Sequence, residues 1–509
     1  MSATAMAQHL NTLKFGSTHK KVWWLSALGI MLDGFDFFIL GVALPLIVVQ
    51  WNISPLETGL VSSAAVVGAI VGASLMGRLA DKIGRSLAFK IDLAMFVVFA
   101  LASAFAPDIW WLIAFRFLLG VGVGADYPIA STYVAEISPT RSRSRLLIGA
   151  FSFQAVGQLL GALVGLVVLS AHPDPNAWRW MLAFGVIPAV IIVLMRRNVP
   201  ESPMWLASMR RYDEAVDALQ KFTGRRLTVD EVREVTAEEA VAGMTSPGSA
   251  GTTTVVEKKE IFSKDVRGAT ILTSVPWFFM DIATYGIGVF TPTILAALAL
   301  GNAANSNYIA DDITSTEGAA FLDIFLIVGF AAAILLVRKL GLIFMQTVGF
   351  VVMGVGLIVL GATDFMSDAN PWTLVILFTA FAAFNLFMNA GPNSTTFALP
   401  AVAFRTENRG AGAGFAAAAG KFGAAFGTFF FPIMQDDWGL FPTLMVIAAG
   451  CFAAALITFV FRRHATRALG EDATTAKIVT IDPAAVLADH AASSVTRQTP
   501  SPLPPSADI

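Results

Sequence analysis

Charge is scarce in this chain, and cysteine and histidine are scarcer. Only 14% of its 509 residues are Asp, Glu, Lys or Arg, against about 25% in soluble domains, while 56% are hydrophobic and the mean hydropathy is +0.69. So little charge excludes a water-facing surface for most of the chain, which reads as an all-α, polytopic membrane protein. The one cysteine, Cys451, excludes an intramolecular disulfide framework and a thiolate metal cluster. The five histidines, His9, His19, His172, His464 and His490, all fall in predicted tails or loops, so no metal site is expected. A net charge of −2 offers no basic field for nucleic acid. The sequence shows no nucleophile–base constellation, phosphate-cradling loop or nucleotide fingerprint, so neither an enzyme, nor a cofactor, nor ATP coupling is expected.

What is abundant is apolar sequence in runs of about 20 residues, the length that crosses a bilayer. Spans are predicted near 23–50, 57–76, 87–106, 109–133, 146–170, 178–196, 268–300, 317–337, 341–362, 371–398, 410–434 and 438–461, twelve in all. The first run is too long for a signal-peptide core and lacks a small-residue cleavage site, so it is expected to be retained. Of the 34 Lys and Arg, Arg116 and Lys421 lie well inside predicted spans and Arg179 lies at an alternate end; the others share one set of loops, tails and adjoining span ends. The positive-inside rule then puts both termini and the long middle loop in the cytoplasm of a plasma-membrane protein. The expected organisation is a tail (1–22), a six-helix bundle (23–197), a cytoplasmic loop (198–266), a second six-helix bundle (267–461) and a tail expected to be disordered (462–509).

The two bundles resemble each other weakly. At an offset of 264, Pro128 pairs with Pro392, Thr132 with Thr396, Arg141 with Arg405 and Arg145 with Arg409; at 248, Asp33 pairs with Asp281. Parallel six-span repeats place a ligand site at the bilayer midplane between the halves. Asp33 and Asp281 are expected to face each other across it.

Ionisable residues in hydrocarbon are costly and mark ligand or proton pathways by default. DGFD sets Asp33 and Asp36 at i, i+3 on the first span. GVGVGADYP brings Asp126 and Tyr127 on a helix whose small residues allow close packing, and FSFQAVGQ has Gln154 and Gln158 one turn apart. WFFMDIATY repeats Trp277, Asp281 and Tyr285 at i, i+4, i+8, a narrow stripe. NLFMNAGPN spaces Asn385, Asn389 and Asn393 the same way, and GFAAAAGKFGAAFG carries Lys421 as the one charge on a Gly/Ala face, where it needs an anion. The competing reading is packing: helix–helix ion pairs for the acids and interhelical hydrogen bonds for the asparagines. Arg116 and Glu136 read as structural.

GRLADKIGR (77–85) falls in a short loop between the second and third spans, where Gly77 and Gly84 permit tight turns and Asp81 can pair with Arg78, Arg85 or a helix terminus. This segment resembles the signature loop of the major facilitator superfamily, and the resemblance implies a twelve-helix fold in two halves with Asp81 and Arg85 as gating residues. VPESPMWL (199–206) resembles the PESP segment of sugar porters and reads Glu201 as a structural charge partner. DYP, the glutamine on the fifth span, WxxxDxxxY, GPNSTTF and AAxGKxGA together resemble the phosphate:proton symporters over nearly the whole transmembrane body. The resemblance implies that Tyr127, Gln154, Trp277, Asp281, Tyr285, Asn393 and Lys421 surround an oxyanion, and that Asp33, Asp36 and Asp126 take part in proton movement. The chain departs from that pattern at FRTENRGAGAG, with Ala413 at a histidine position and Glu407 at an arginine one. DGFDFF also resembles the aromatic-acid:proton symporters.

The side-chain chemistry points to an anion without the resemblance. Lys421 supplies charge, Tyr127, Tyr285 and Trp277 supply neutral donors, and Gln154 and Asn393 supply amide protons. An anion beside Asp281 is repelled unless that carboxyl holds a proton, which links anion binding to protonation. The expectation is a proton-coupled symporter of a small oxyanion, inorganic phosphate foremost, taken as a monomer in the bilayer. The alternatives are an organic or aromatic acid, a sugar or polyol, or a non-transporting sensor.

Overall fold

The computed structural model of the chain describes residues 16–137, 146, 149–197, 199–223, 261–264, 266–299, 308–366, 370, 372–404 and 406–465. The extreme tails and most of the middle loop, for which a linker and a disordered tail are expected, lie outside the described residues. Within them every regular element is helical, as required where the backbone has no water to bond and must satisfy itself within each segment.

The first half contains α1 (Ser17–Trp51), α2 (Pro55–Ile83), α3 (Arg85–Ala104), α4 (Ile109–Ile137), α5 (Phe153–Ala171), α6 (Ala177–Phe184) and α7 (Val186–Arg196). Two short helices follow, α8 (Pro203–Ser208) and α9 (Tyr212–Thr223). The second half contains α10 (Arg267–Gly288), α11 (Thr291–Ala299), α12 (Tyr308–Leu340), α13 (Leu342–Ala362), α14 (Trp372–Ala390), α15 (Pro392–Ala403), α16 (Thr406–Trp438) and α17 (Leu440–Phe461). Ten spans qualify by length and apolarity as continuous crossings, α10 and α11 form an eleventh bent by 60°, and α4 completes the expected twelve with a described apolar part at Ile109–Gly124.

Several spans are broken, and proline or glycine sits at each break. Pro292 follows the α10–α11 bend and has no N–H to continue the ladder. Gly391 and Pro392 separate α14 from α15, and Gly185 separates α6 from α7. The predicted span 317–337 is longer than expected: α12 begins at Tyr308, which brings Asp311 and Asp312 into the helix.

Two faces of the bundle are distinguished by their loops. The tail face carries residue 16, the α2–α3 turn, α8, α9 and residue 465; the opposite face carries the α1–α2 and α16–α17 turns. Within the halves α1 packs on α5 and α10 on α16, while α2 against α16 and α5 against α12 join one half to the other. These contacts are close because of glycine. A Cβ at Gly34 would meet the backbone of Gln154, and one at Gly423 the backbone of Phe278. The first approach sets Asp33 beside the glutamine helix; the second sets Lys421 against the helix of Asp281.

Candidate functional site

The polar residues on the broken α10 helix are turned inward. Trp277, Asp281 and Tyr285 are buried at 6%, 4% and 6% exposure, within the span. Their partners come from both halves. The Gln154 Nε2 on α5 donates to the Tyr285 hydroxyl at 3.1 Å, and the Lys421 Nζ on α16 donates to the same oxygen at 3.1 Å. The Lys421 ammonium also lies 5.0 Å from the Tyr285 ring centroid, and Phe37 of α1 packs edge-on to that ring at 5.4 Å.

The charges converge on the lysine. Asp281 and Asp33 both act electrostatically on Lys421, and the Trp277 side chain hydrogen-bonds to Asp281 one turn away. With all three groups ionised the site carries one positive and two negative charges, a net of −1. Adding one proton makes it neutral, and adding two makes it cationic.

Aromatic rings separate this group from the tail face. Phe151 lies one turn from Gln154 and stacks on Phe397 of α15 with centroids 4.6 Å apart and planes at 20°. Phe397 in turn meets Trp277 edge-on at 4.8 Å. Towards the opposite face the halves close backbone to backbone, with Gly41 against Val289 and Gly59 against Phe429. The polar group therefore sits between a close-packed seam and a layer of three rings.

The other sequence-predicted residues make contacts of their own or have side chains outside the described residues. Asp36 is ion-paired with Arg116 of α4 at 2.7 Å, both side chains almost fully buried. Asn393 donates to the Asn389 Oδ1 at 2.6 Å, while Asn385 and Asn389 donate to the Leu322 and Leu326 carbonyls, tying α14 to α12. The backbones of Asp81, Asp126 and Tyr127 belong to α2 and α4, and their side chains lie outside the described residues. Arg85 opens α3 with its backbone N–H on the Glu201 Oε1 at 2.8 Å, and Ser86 N–H reaches the same carboxylate at 3.1 Å. Glu201 thus caps α3 from beyond the sixth span, beside Gly84, whose φ of 99° suits the turn to glycine.

Sequence reasoning missed two features. Arg196 is buried, bonded to the Phe89 and Leu25 carbonyls at 3.0 Å each, and paired with Asp92 at 3.4 Å. Asp312 and Asp323 on α12 are buried at 4% and 2% exposure. Asp323 was legible: it is the one charge in FLDIFLIVGF, the same signal that singles out Asp281.

The family model described as "Sugar (and other) transporter" matches residues 22–467. Inorganic phosphate transporter 1-2 of Oryza sativa subsp. japonica is 27% identical over 488 residues, covering 85% of this chain and 89% of the relative. The niacin transporter NiaP of Acinetobacter baylyi is 26% identical over 421 residues, covering 82% and 88%. Among solved structures, the xylose transporter XylE from E. coli, in a partially occluded inward open conformation, superposes with a TM-score of 0.69 at 20% identity, covering 87% of this chain and 99% of that one. Both the matched family and these proteins are transporters, and the shared fold is that of twelve helices in two halves.

Proposed function

The chain belongs to the sugar (and other) transporter family, within the major facilitator superfamily, and we propose that it is a proton-coupled symporter carrying a small oxyanion, inorganic phosphate foremost. The observation that carries this is the meeting of Gln154 and Lys421, from opposite halves, on the Tyr285 hydroxyl. A tetrahedral oxyanion seated between them accepts from the lysine ammonium, the amide and the phenol, all donors. It also ties the two halves together at the point about which they rock.

Charge balance supplies the coupling. A net of −1 at Asp33, Asp281 and Lys421 opposes an anion, and protonating Asp281 removes that opposition. At about 4 Å and an effective dielectric of about 20, one carboxylate–anion repulsion is worth about 4 kcal/mol. Proton and anion therefore load together. Release follows when the Phe151–Phe397 layer parts and Asp281 returns its proton on the tail side, which the Lys and Arg distribution assigns to the cytoplasm.

A second reading draws on the same rings. The Phe151, Phe397 and Trp277 layer beside Lys421 suits an aromatic carboxylate, the carboxyl at the lysine and the ring among the phenylalanines. Uptake of labelled phosphate into proteoliposomes, competed by arsenate, sulfate and benzoate, separates the two. Competition by arsenate and none by benzoate supports phosphate; the reverse pattern assigns an aromatic acid, and no phosphate uptake removes the leading reading.

A further inference from the structure

α12 carries two acids that the substrate site does not use. Asp312 and Asp323 are eleven residues apart, which at 100° per residue returns them to nearly the same helix face, about 16 Å apart along the axis. Asp312 lies near the opposite-face end of the helix and Asp323 at its middle. Thr316, one turn on from Asp312, is fully buried on the same side. Neither oxygen of Asp312, nor Oδ2 of Asp323, nor the Thr316 hydroxyl has a hydrogen-bond partner among the described residues.

Hydrogen bonds across helices fix the depth of Asp323. Asn385 and Asn389 of α14 reach the carbonyls of Leu322 and Leu326, and Met388 between them accepts from Thr284 of α10 at 3.1 Å. Asp323 therefore lies level with the Thr284–Tyr285 turn, at the depth of the substrate group. Among the described residues no counter-charge comes from the packed neighbours. The described spans of α5, α11, α13, α14 and α15 contain no Asp, Glu, His, Lys or Arg. α1, which touches α12 at few places, brings Asp33 and Asp36 within the membrane, both acidic and the latter paired with Arg116.

An ionised carboxylate in that setting has little exposure and no counter-charge among the described residues, whereas a carboxylic acid is tolerated. The neighbouring asparagines show what packing glue looks like here: each finds a carbonyl. Asp323 is placed differently. We propose that Asp323 is a second proton-binding site of this transporter, separate from Asp281 and reached from the opposite face along the Asp312–Thr316 side of α12. Loading adds one proton to a carboxylate oxygen and unloading returns it to water; no other bond changes. The site itself rests on burial and position, and only its contribution to transport rests on the symport reading.

Two measurements on the purified full chain in lipid test this. Infrared difference spectroscopy reads the carbonyl stretch of protonated carboxylic acids in wild type, Asp323→Asn, Asp323→Glu and Asp312→Asn. Asp323→Asn is expected to lose one component of that band near neutral pH, Asp323→Glu to keep it shifted, and Asp312→Asn to slow its deuterium exchange. A band unchanged in Asp323→Asn overturns the site, and an exchange rate unchanged in Asp312→Asn overturns the access route. In proteoliposomes the number of protons moved per phosphate is expected to fall by one in Asp323→Asn and to be restored in Asp323→Glu; an unchanged ratio denies Asp323 a part in coupling. If wild type moves no phosphate, the oxyanion reading fails and the infrared result still decides whether Asp323 holds a proton.

Discussion

Replacing Asp281 by Asn separates binding from coupling. The amide is nearly isosteric with the protonated acid and its oxygen still accepts from the Trp277 side chain that bonds to Asp281 in the native site. It cannot, however, ionise. In wild type the group of Lys421, Asp33 and Asp281 passes from −1 to neutral as one proton loads, and the repulsion removed is about 4 kcal/mol at about 4 Å and an effective dielectric of about 20. At about 1.4 kcal/mol per decade, that is up to about three decades in anion affinity. Asp281→Asn should therefore bind phosphate with little pH dependence, and at alkaline pH more tightly than wild type. In proteoliposomes it should exchange labelled for unlabelled phosphate but move one proton fewer per phosphate and concentrate it less under an inward proton gradient. An unchanged proton-to-phosphate ratio in Asp281→Asn would refute the assignment of Asp281 as a coupling carboxyl.

Lys421→Gln removes the site's one positive charge and a charge-assisted bond of about 1.5–3 kcal/mol, so phosphate affinity measured by isothermal calorimetry should fall by about tenfold or more. Splitting the buried Asp36–Arg116 pair with Arg116→Met should cost about 3–5 kcal/mol by stranding the carboxylate. It should show as a lowered melting temperature that Asp36→Leu added to Arg116→Met largely restores. Glu201→Ala leaves the α3 N-terminus without the acceptor for Arg85 and Ser86 and should cost about 0.5–2 kcal/mol, read as faster amide exchange at residues 85 and 86 with the substrate site unaffected.

Much of the architecture was legible because a bilayer writes it into hydropathy: long apolar runs mark spans, and the places where Lys and Arg gather mark their ends. The breaks were less legible. Apolar sequence runs through Val289 and Phe290 without interruption, so the 60° bend between α10 and α11 is signalled only by Pro292. At the site, spacing put Trp277, Asp281 and Tyr285 on one stripe, but no spacing shows that Gln154 and Lys421 meet on the Tyr285 hydroxyl, since those residues come from different helices in different halves. DGFD gave Asp33 and Asp36 equal standing. The structure separates them through Arg116, eighty positions away in sequence. Asn385 and Asn389 illustrate the same limit, because a polar side chain that ties two helices and one that binds a ligand look alike until the carbonyl it reaches is seen.

The most direct test is simultaneous measurement of labelled phosphate and internal pH in proteoliposomes holding the purified chain under an imposed inward proton gradient. Phosphate is expected to accumulate above equilibrium, matched by internal acidification that depends on external phosphate and abolished by a protonophore. Phosphate that only equilibrates, or acidification indifferent to phosphate, would contradict the symport reading.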